Sequence, residues 1–312
     1  MKKITVLATV ALSCLVFYSF FSQKSDDSIK IMVCKAVEHE ALNSVARGME
    51  DYLMKQNRKY AVSVETCQGN MALASQIVSK FANSGAKVVV TIGTTPSQSA
   101  FKFAKEGKIK LVFSSVTNPN DISPSLAGTN TTGVSNFVAL EPQLALFQEI
   151  QPGLKNLGVV YNTGEANSVS IVEKLKPVCE KMEINLIEQG ISKISEIPQA
   201  TEKLAQIVDA VFISNDNMAL SAMPVIVSIC GKKNVPVYVS DTDQIENGCT
   251  AALGPNQYEI GVQTGKMVHR IACGEDINKV RVEYPEKSEL WLNLKGPVQI
   301  SDAVQRRAKK IF

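Results

Sequence analysis

From Ile31 to Phe312 the chain alternates short β-branched runs with stretches of helical apolar spacing. That alternation constrains the fold more than any single motif. A strand followed by a helix before the next strand pairs in parallel, with helices covering both faces of the sheet. In front stand Met1-Lys2-Lys3 and a largely apolar run from Ile4 to Phe21. A basic start and an apolar core of that length predict an export signal or an uncleaved amino-terminal membrane anchor within 1–28. Either one puts the body outside the cytoplasmic membrane. Ala11-Leu12-Ser13-Cys14 resembles a lipoprotein cleavage box, so Cys14 is a candidate for lipidation; an ordinary cysteine in an apolar run is the alternative.

The body begins near Ile29. Strands are predicted at 29–33, 61–65, 87–92 and 109–114, with helices at 41–56, 71–83 and after Thr95-Pro96. Pro96 suits a first helical position with Thr95 as its cap. Residues 126–135 carry Gly128, Gly133 and several threonines and read as extended, the first crossing into a second lobe. After Pro152 the pattern restarts. Strands are expected at 156–161, 184–189, 210–214, 235–240 and 250–253, with helices at 169–182, 197–207 and 219–229. A helix over 256–272 returns, with Gly261 and Gly265 suited to close packing. A short strand at 291–294 and a helix over 301–309 finish the chain. Two similar α/β lobes imply a cleft between them, and ligands of such sheets sit beyond the carboxyl ends of the strands.

The formal charge is only +3, and no Lys/Arg block offers a grip on nucleic acid. None of the seven cysteines forms a C-x-x-C pair. Cys34 and Cys67 end the first two predicted strands, which neighbour each other in a doubly wound sheet. In an exported protein they are a candidate disulfide; two buried free thiols are the alternative.

The loops after the strands carry the chemistry. In the first lobe these are Glu38-His39, Gln68-Gly69-Asn70, Thr94-Thr95 and Thr117-Asn118. The crossing adds Ser135-Asn136. In the second lobe they are Tyr161-Asn162, Glu165, Asn167-Ser168, Asn215-Asp216-Asn217 and Asp241. Hydroxyls and amides orient a polar ligand without reacting with it. Helix starts near Thr94-Thr95 and Thr117-Asn118 suit a carboxylate, and Asp216 suits an ammonium. The candidate ligand-binding set is Glu38, Gln68, Thr94, Thr95, Thr117, Asn118, Asn136, Tyr161, Asn162, Asp216, Asn217 and Asp241. Singly, each Asn or Ser at a helix start is as well read as a cap. The chain has two histidines, His39 and His269, no nucleophile elbow and no glycine-rich phosphate loop. It reads as a non-enzyme, with no cofactor and no metal.

Several ordered stretches carry a resemblance. They include Val37-Glu38-His39, Gln68-Gly69-Asn70, Ile92-Gly93-Thr94, Phe113-Ser114-Ser115-Val116-Thr117-Asn118-Pro119 and Thr132-Gly133-Val134-Ser135. Gly158-Val159-Val160-Tyr161-Asn162, Asp216-Asn217, Gln263-Thr264-Gly265-Lys266-Met267 and Leu292-Asn293-Leu294-Lys295 follow. Together they resemble the substrate-binding proteins of ABC importers, in the subgroup that includes tryptophan- and phenylalanine-binding members. The resemblance implies an α/β fold of two Rossmann-like doubly wound lobes with three hinge crossovers, the periplasmic-binding-protein type I. Lobe 1 would be 29–135 completed by 256–282, and lobe 2 would be 137–254 completed by 284–312. The hinges would lie near Ser135-Asn136, Gly254-Pro255 and Tyr284-Pro285. Glu38, Thr94, Thr117, Asn136, Tyr161 and Asp216 would border a solute clamped by hinge closure.

The solute expected is an amino acid, aromatic or branched, with Tyr161 stacking on an aromatic side chain. A nucleoside or another non-amino-acid solute remains open. So does a stand-alone sensor that reports to a membrane partner. Expected partners are the permease transmembrane subunits with their ATPase, and no nucleic acid. The protein is expected to be a monomer in the periplasm or on the outer face of the cytoplasmic membrane.

Overall fold

The computed structural model describes residues 28–312. The export or anchor segment and Cys14 lie outside the described residues. Strands β1 (Ile29–Lys35), β2 (Tyr60–Thr66), β3 (Val88–Ile92), β4 (Leu111–Ser114) and β5 (Thr131–Val134) form a parallel sheet in the order β2-β1-β3-β4-β5. Helices α1 (Glu40–Met54), α2 (Met71–Ala82) and α3 (Thr94–Lys105) link them. Alternate strand residues feed two cores. Ile31, Val33, Val88 and Val90 face α1, while Cys34, Val89 and Leu111 face Ala74, Phe81 and Ala100 on the opposite side. Burial on both faces explains the unbroken Val-Val-Val of β3.

The second sheet holds β6 (Asn156–Asn162), β7 (Asn185–Ile191), β8 (Ala210–Ile213), β9 (Val237–Val239), β10 (Ala251–Gly254), β11 (Glu289–Leu292) and β12 (Lys310–Ile311). Its order is β12-β11-β10-β9-β8-β6-β7, and only β11 runs antiparallel to its neighbour β10. The helices are α4 (Leu140–Ile150), α5 (Ala166–Lys181), α6 (Ile197–Leu204), α7 (Asn217–Ser221), α8 (Met223–Lys232), α9 (Gln257–Ala272) and α10 (Asp302–Gln305). Phe147 of α4 stacks on Tyr238 at 4.3 Å between ring centroids and tilts against Phe212 at 5.4 Å.

Helix α9 leaves the second sheet and returns to the first. Its Ile260, Met267, Val268 and Ile271 complete the core started by β1 and α1. The two helices cross closely because glycines face each other. A Cβ on Gly261 would stand 2.1 Å from the Val45 carbonyl oxygen, and one on Gly48 would stand 2.1 Å from that of Tyr258. The chain then pairs Val134 with Glu283 in an isolated bridge before entering β11.

Several expectations need correction. Residues 131–134 do not cross between lobes; they pair with β4 as the fifth strand. Helix α4 has no counterpart among the expected elements, because Ala139 before it supplies no side-chain cap. The helix expected over 219–229 is broken at Ala222: Pro224 has no N–H to continue the ladder, so α8 starts anew. Helix α3 starts at Thr94 with Gly93 as its cap, which leaves Pro96 inside the first turn and Thr95 capping nothing. The last helix spans one turn, and the chain pairs Lys310 and Ile311 with Trp291 and Leu292 instead. Cys34 and Cys67 are free. Both are buried, and the Cys67 thiol donates to the Ala36 carbonyl at 3.4 Å rather than bonding covalently.

Candidate functional site

The carboxyl ends of the two sheets face each other across a nearly closed cleft whose remaining cavity is about 10 Å³. The starts of α1 and α3 form one wall, through His39, Ala41, Leu42 and Thr94, joined by Ser115 and Thr117 after β4. Neither helix has a side-chain cap at its first turn. Their leading N–H groups therefore keep free hydrogen-bonding capacity and the positive end of the helix dipole.

The second wall consists of Asn167, Asn215, Asn217, Leu220 and Asp241, with Asn136 from the crossing and Gln257 from the start of α9. Here acids cap α7 and the turn after β9, whereas α5, which carries Asn167, has no side-chain cap and α9 is capped by Asn256. Asp216 accepts from Ala219 N at 2.7 Å and from Asn162 N at 2.6 Å. Glu165 accepts from Asn217 N at 3.2 Å and Met218 N at 3.3 Å. Asp241 accepts from Asp243 N at 3.1 Å and Gln244 Nε2 at 3.3 Å. It lines the cavity while almost wholly buried, and burial, with nearby Asp243 adding to it, pushes its carboxyl up to about 7.

Four buried polar atoms of the cavity lining have no partner: His39 Nδ1, Ser115 Oγ, Asn167 Oδ1 and Gln257 Oε1. Buried polar atoms normally find partners, so these four leave unused hydrogen-bonding capacity in the cleft. Three are acceptors in this arrangement. The lobes also touch directly. His39 Nε2 meets Asn217 Oδ1 at 3.2 Å, and Asn118 Nδ2 donates to Ser170 Oγ at 2.9 Å. Asn215 Nδ2 donates to the Asn136 carbonyl at 3.2 Å. Burial pushes the His39 imidazole down, keeping it neutral near pH 7.

Of the twelve candidate residues, Thr94, Thr117, Asn136, Asn217 and Asp241 line this cavity. The others do not, for identifiable reasons. Glu38 turns outward to Lys35 at 2.8 Å, and the Lys35 and Thr66 bonds hold its carboxyl below the usual range. Gln68 is exposed on a turn with φ of 53°. Thr95 follows Thr94 on α3 and stays outside the lining. Asn118 caps a short 3-10 turn and bonds Ser170 across the cleft mouth. The Tyr161 hydroxyl reaches Glu188 at 3.4 Å, and Tyr161 is not among the residues lining the cavity. Asn162 is tied to Glu165 at 3.1 Å, and Asp216 commits one carboxylate oxygen to capping α7 and the other to the Asn162 N–H at the end of β6. The acid that meets the cavity is Asp241 instead. His39, Ser115, Asn167, Asn215 and Gln257 complete the lining. Gln257 opens the helix directly after the Gly254-Pro255 crossing, and that position was its signal.

A second and larger opening, of about 260 Å³, lies among Pro255, Glu259, Gln263, Lys266, Pro285 and Lys287. None of the unpartnered buried atoms lies there. Among the described residues no group of three or more His, Cys, Asp or Glu could hold a metal ion, and no helix is long and apolar enough to cross a membrane.

Residues 30–311 match the model of a family described as ABC transporter substrate binding protein. The chain belongs to that family. The fold of this substrate-binding protein is shared by a conserved domain protein from Vibrio cholerae, 32% identical, with a TM-score of 0.86 over 91% of this chain and all of that one. An ABC domain in complex with L-Trp from Streptococcus pneumonia is 24% identical, with a TM-score of 0.85 over the same shares. A curated relative, the tyrosine-binding protein of Clostridioides difficile, is 26% identical over 86% of this chain and 81% of that protein. The substrate-binding protein thus has the two-lobed periplasmic-binding-protein type I fold and is the solute-binding component of an ABC importer. Its class captures solutes and does not transform them.

Proposed function

We propose that this substrate-binding protein captures an amino acid between its lobes. The observation that carries the reading is the uneven distribution of donors and acceptors across the cleft, with His39 Nδ1 the one unpartnered acceptor on the first wall. The bare starts of α1 and α3, with Ser115, offer N–H and O–H groups to a carboxylate. Asp241, with Asn167 Oδ1 and Gln257 Oε1, offers acceptors to an ammonium. Ala41, Leu42 and Leu220 leave an apolar place for a side chain, which favours an aromatic or branched amino acid over a polyol. The relative named for tyrosine and the fold relative that holds L-Trp support the aromatic choice.

Capture works by hinge closure. The solute contacts both walls and so stabilises the closed state over the open one. Movement is about the crossings near Ser135-Asn136, Gly254-Pro255 and Tyr284-Pro285, which divide lobe 1 (29–135 with 256–282) from lobe 2 (137–254 with 284–312). The closed form then docks on permease subunits coupled to an ATPase. The protein works as a monomer in the periplasm or on the outer face of the cytoplasmic membrane.

The test is a thermal-shift screen of the purified full chain in mild detergent, stripped of solute by unfolding and refolding. L-Tyr, L-Trp, L-Phe and L-Leu are compared with nucleosides and with myo-inositol. A concentration-dependent rise in Tm with an amino acid supports the reading and names the cargo. A rise with a nucleoside or polyol alone sinks it.

A further inference from the structure

We infer that Glu165, a residue with no place in the cavity lining, fixes the hydrogen-bonding character of His39 across the cleft and is a positioning residue for solute recognition. The inference rests on the reading of this cleft as the solute site.

The chain of contacts runs through one amide. Glu165 Oε2 receives Asn217 Nδ2 at 2.7 Å and Asn217 N at 3.2 Å. An ionised carboxylate only accepts, so the Asn217 side chain turns its NH₂ toward Glu165 and its Oδ1 toward the opposite lobe. That oxygen meets His39 Nε2 at 3.2 Å, and an amide oxygen also only accepts. His39 therefore carries its proton on Nε2. Its Nδ1, buried and unpartnered, presents a lone pair. The partner it lacks must be an N–H or O–H of the solute.

Glu165 acts on Asn167 in the same way. Asn167 Nδ2 lies 3.4 Å from Glu165 Oε2 and donates to the Asn215 carbonyl at 2.7 Å, which leaves Oδ1 unpartnered. One carboxylate thus sets two acceptors. Glu165 and Asn217 belong to the second wall and His39 to the first, so the His39 half of the relay forms only when the walls meet. Closure sets the imidazole tautomer. In the open state Asn217 is out of reach and either nitrogen can hold the proton.

The test reads the tautomer directly. With only two histidines in the chain, ¹⁵N NMR of histidine-labelled protein resolves His39 once a His269→Gln variant assigns the other ring. The purified full chain is held closed by the amino acid that raises its Tm. If none does, an Asn118→Cys/Ser170→Cys crosslink holds it, since those side chains already touch at 2.9 Å. The parent is expected as Nε2–H. Glu165→Ala frees the Asn217 amide to flip, so both tautomers appear and solute affinity falls about tenfold. Glu165→Ala/Asn217→Asp is expected to return Nε2–H at pH 8, because the introduced carboxylate accepts from either oxygen and needs no Glu165 to orient it. A merely structural role for Glu165 gives no such rescue.

An unchanged Nε2–H signal in Glu165→Ala overturns the inference. So does a double variant with parent-like Tm that fails to restore it. If the tautomers behave as expected in the crosslinked protein but no amino acid binds, the relay stands and the cargo reading alone fails.

Discussion

The two walls of the cleft come from the same kind of βα unit, yet they finish their helices differently. On the first wall α1 begins at His39 and α3 at Gly93, and neither start has a side-chain cap. On the second, Asp216 and Glu165 cap α7, and Asp241 caps the turn after β9. Capping an N-terminus contributes about 1 kcal/mol of stability. The first wall forgoes that and keeps its N–H groups for a solute. The second wall satisfies the N–H groups of α7 and of the turn after β9, though not those of α5, and presents Asp241 to the cavity. The difference gives the cleft a polarity, and under the proposed reading an amino acid would place its carboxylate on the first wall and its ammonium on the second.

The largest expected effect breaks the acid side. Asp241→Asn removes the one carboxylate of the lining and leaves an ammonium buried without its counter-charge. Affinity for the amino acid, read by titration calorimetry, falls by about 3 kcal/mol or more, roughly a hundredfold. A change below threefold would place the ammonium elsewhere.

The same residue gives a pH signature. Folded Asp241 holds its proton up to about 7, against 3.8 for the free side chain, and Asp216 is pushed up to about 6 by burial and by Glu165. Between those values the folded state binds more protons than the unfolded one. The contribution of these two groups to solute-free stability is therefore fully present below about pH 4 and declines as pH rises through 7. Denaturant midpoints across that range measure it, and a midpoint that climbs with pH contradicts it. An arriving ammonium ionises Asp241, so binding at pH 6 releases a proton, and affinity strengthens as pH rises toward 7. Calorimetry in buffers of different ionisation enthalpy detects the release.

The donor side is sharpened by His39→Ser. Serine caps α1, so Tm rises in line with about 1 kcal/mol, while solute affinity falls because the N–H groups are now occupied and the Nδ1 acceptor is gone. Stability and affinity moving together would refute the division of roles. The smallest effect belongs to Tyr161→Ala. With its hydroxyl on Glu188 outside the cavity, affinity changes by less than about twofold; a tenfold loss would mean that Tyr161 meets the solute after all.

Fold and site were not equally legible in the chain. Period-two strands and helical stripes set the alternation, and most element positions follow from it. Apart from the break at Ala222 before Pro224 and the start of α3, the elements misread were decided by partners elsewhere in the chain. β5 depends on β4, β12 depends on β11, and α4 is held by Phe147 against Tyr238 and Phe212. For the site, position after a strand located Thr94, Thr117, Asn136, Asn217 and Asp241, but it did not say where a side chain points. Tyr161 and Asn162 are adjacent on β6 and leave the strand on opposite faces, and neither reaches the cavity. Asp216 and Asp241 both follow strands. Only the structure shows that the first commits its oxygens to two short backbone bonds while the second lines the cavity. His39 stood in the sequence beside Glu38 without a nucleophile, and its role as an acceptor depends on Asn217 from the far lobe.

The crossing of α1 and α9 at Gly48 and Gly261 bears on the order in which the molecule can be assembled. The wall of core that α9 supplies to β1 and β3 is encoded more than two hundred residues after β1 itself. Contacts that distant in the chain close slowly. A chain emerging amino end first leaves the first lobe without its last helix while nearly all of the second lobe is made. The lobe begun first is finished late, and a polypeptide stopped short of Gln257 contains neither the helix that completes its first core nor the strand β11 that extends its second sheet.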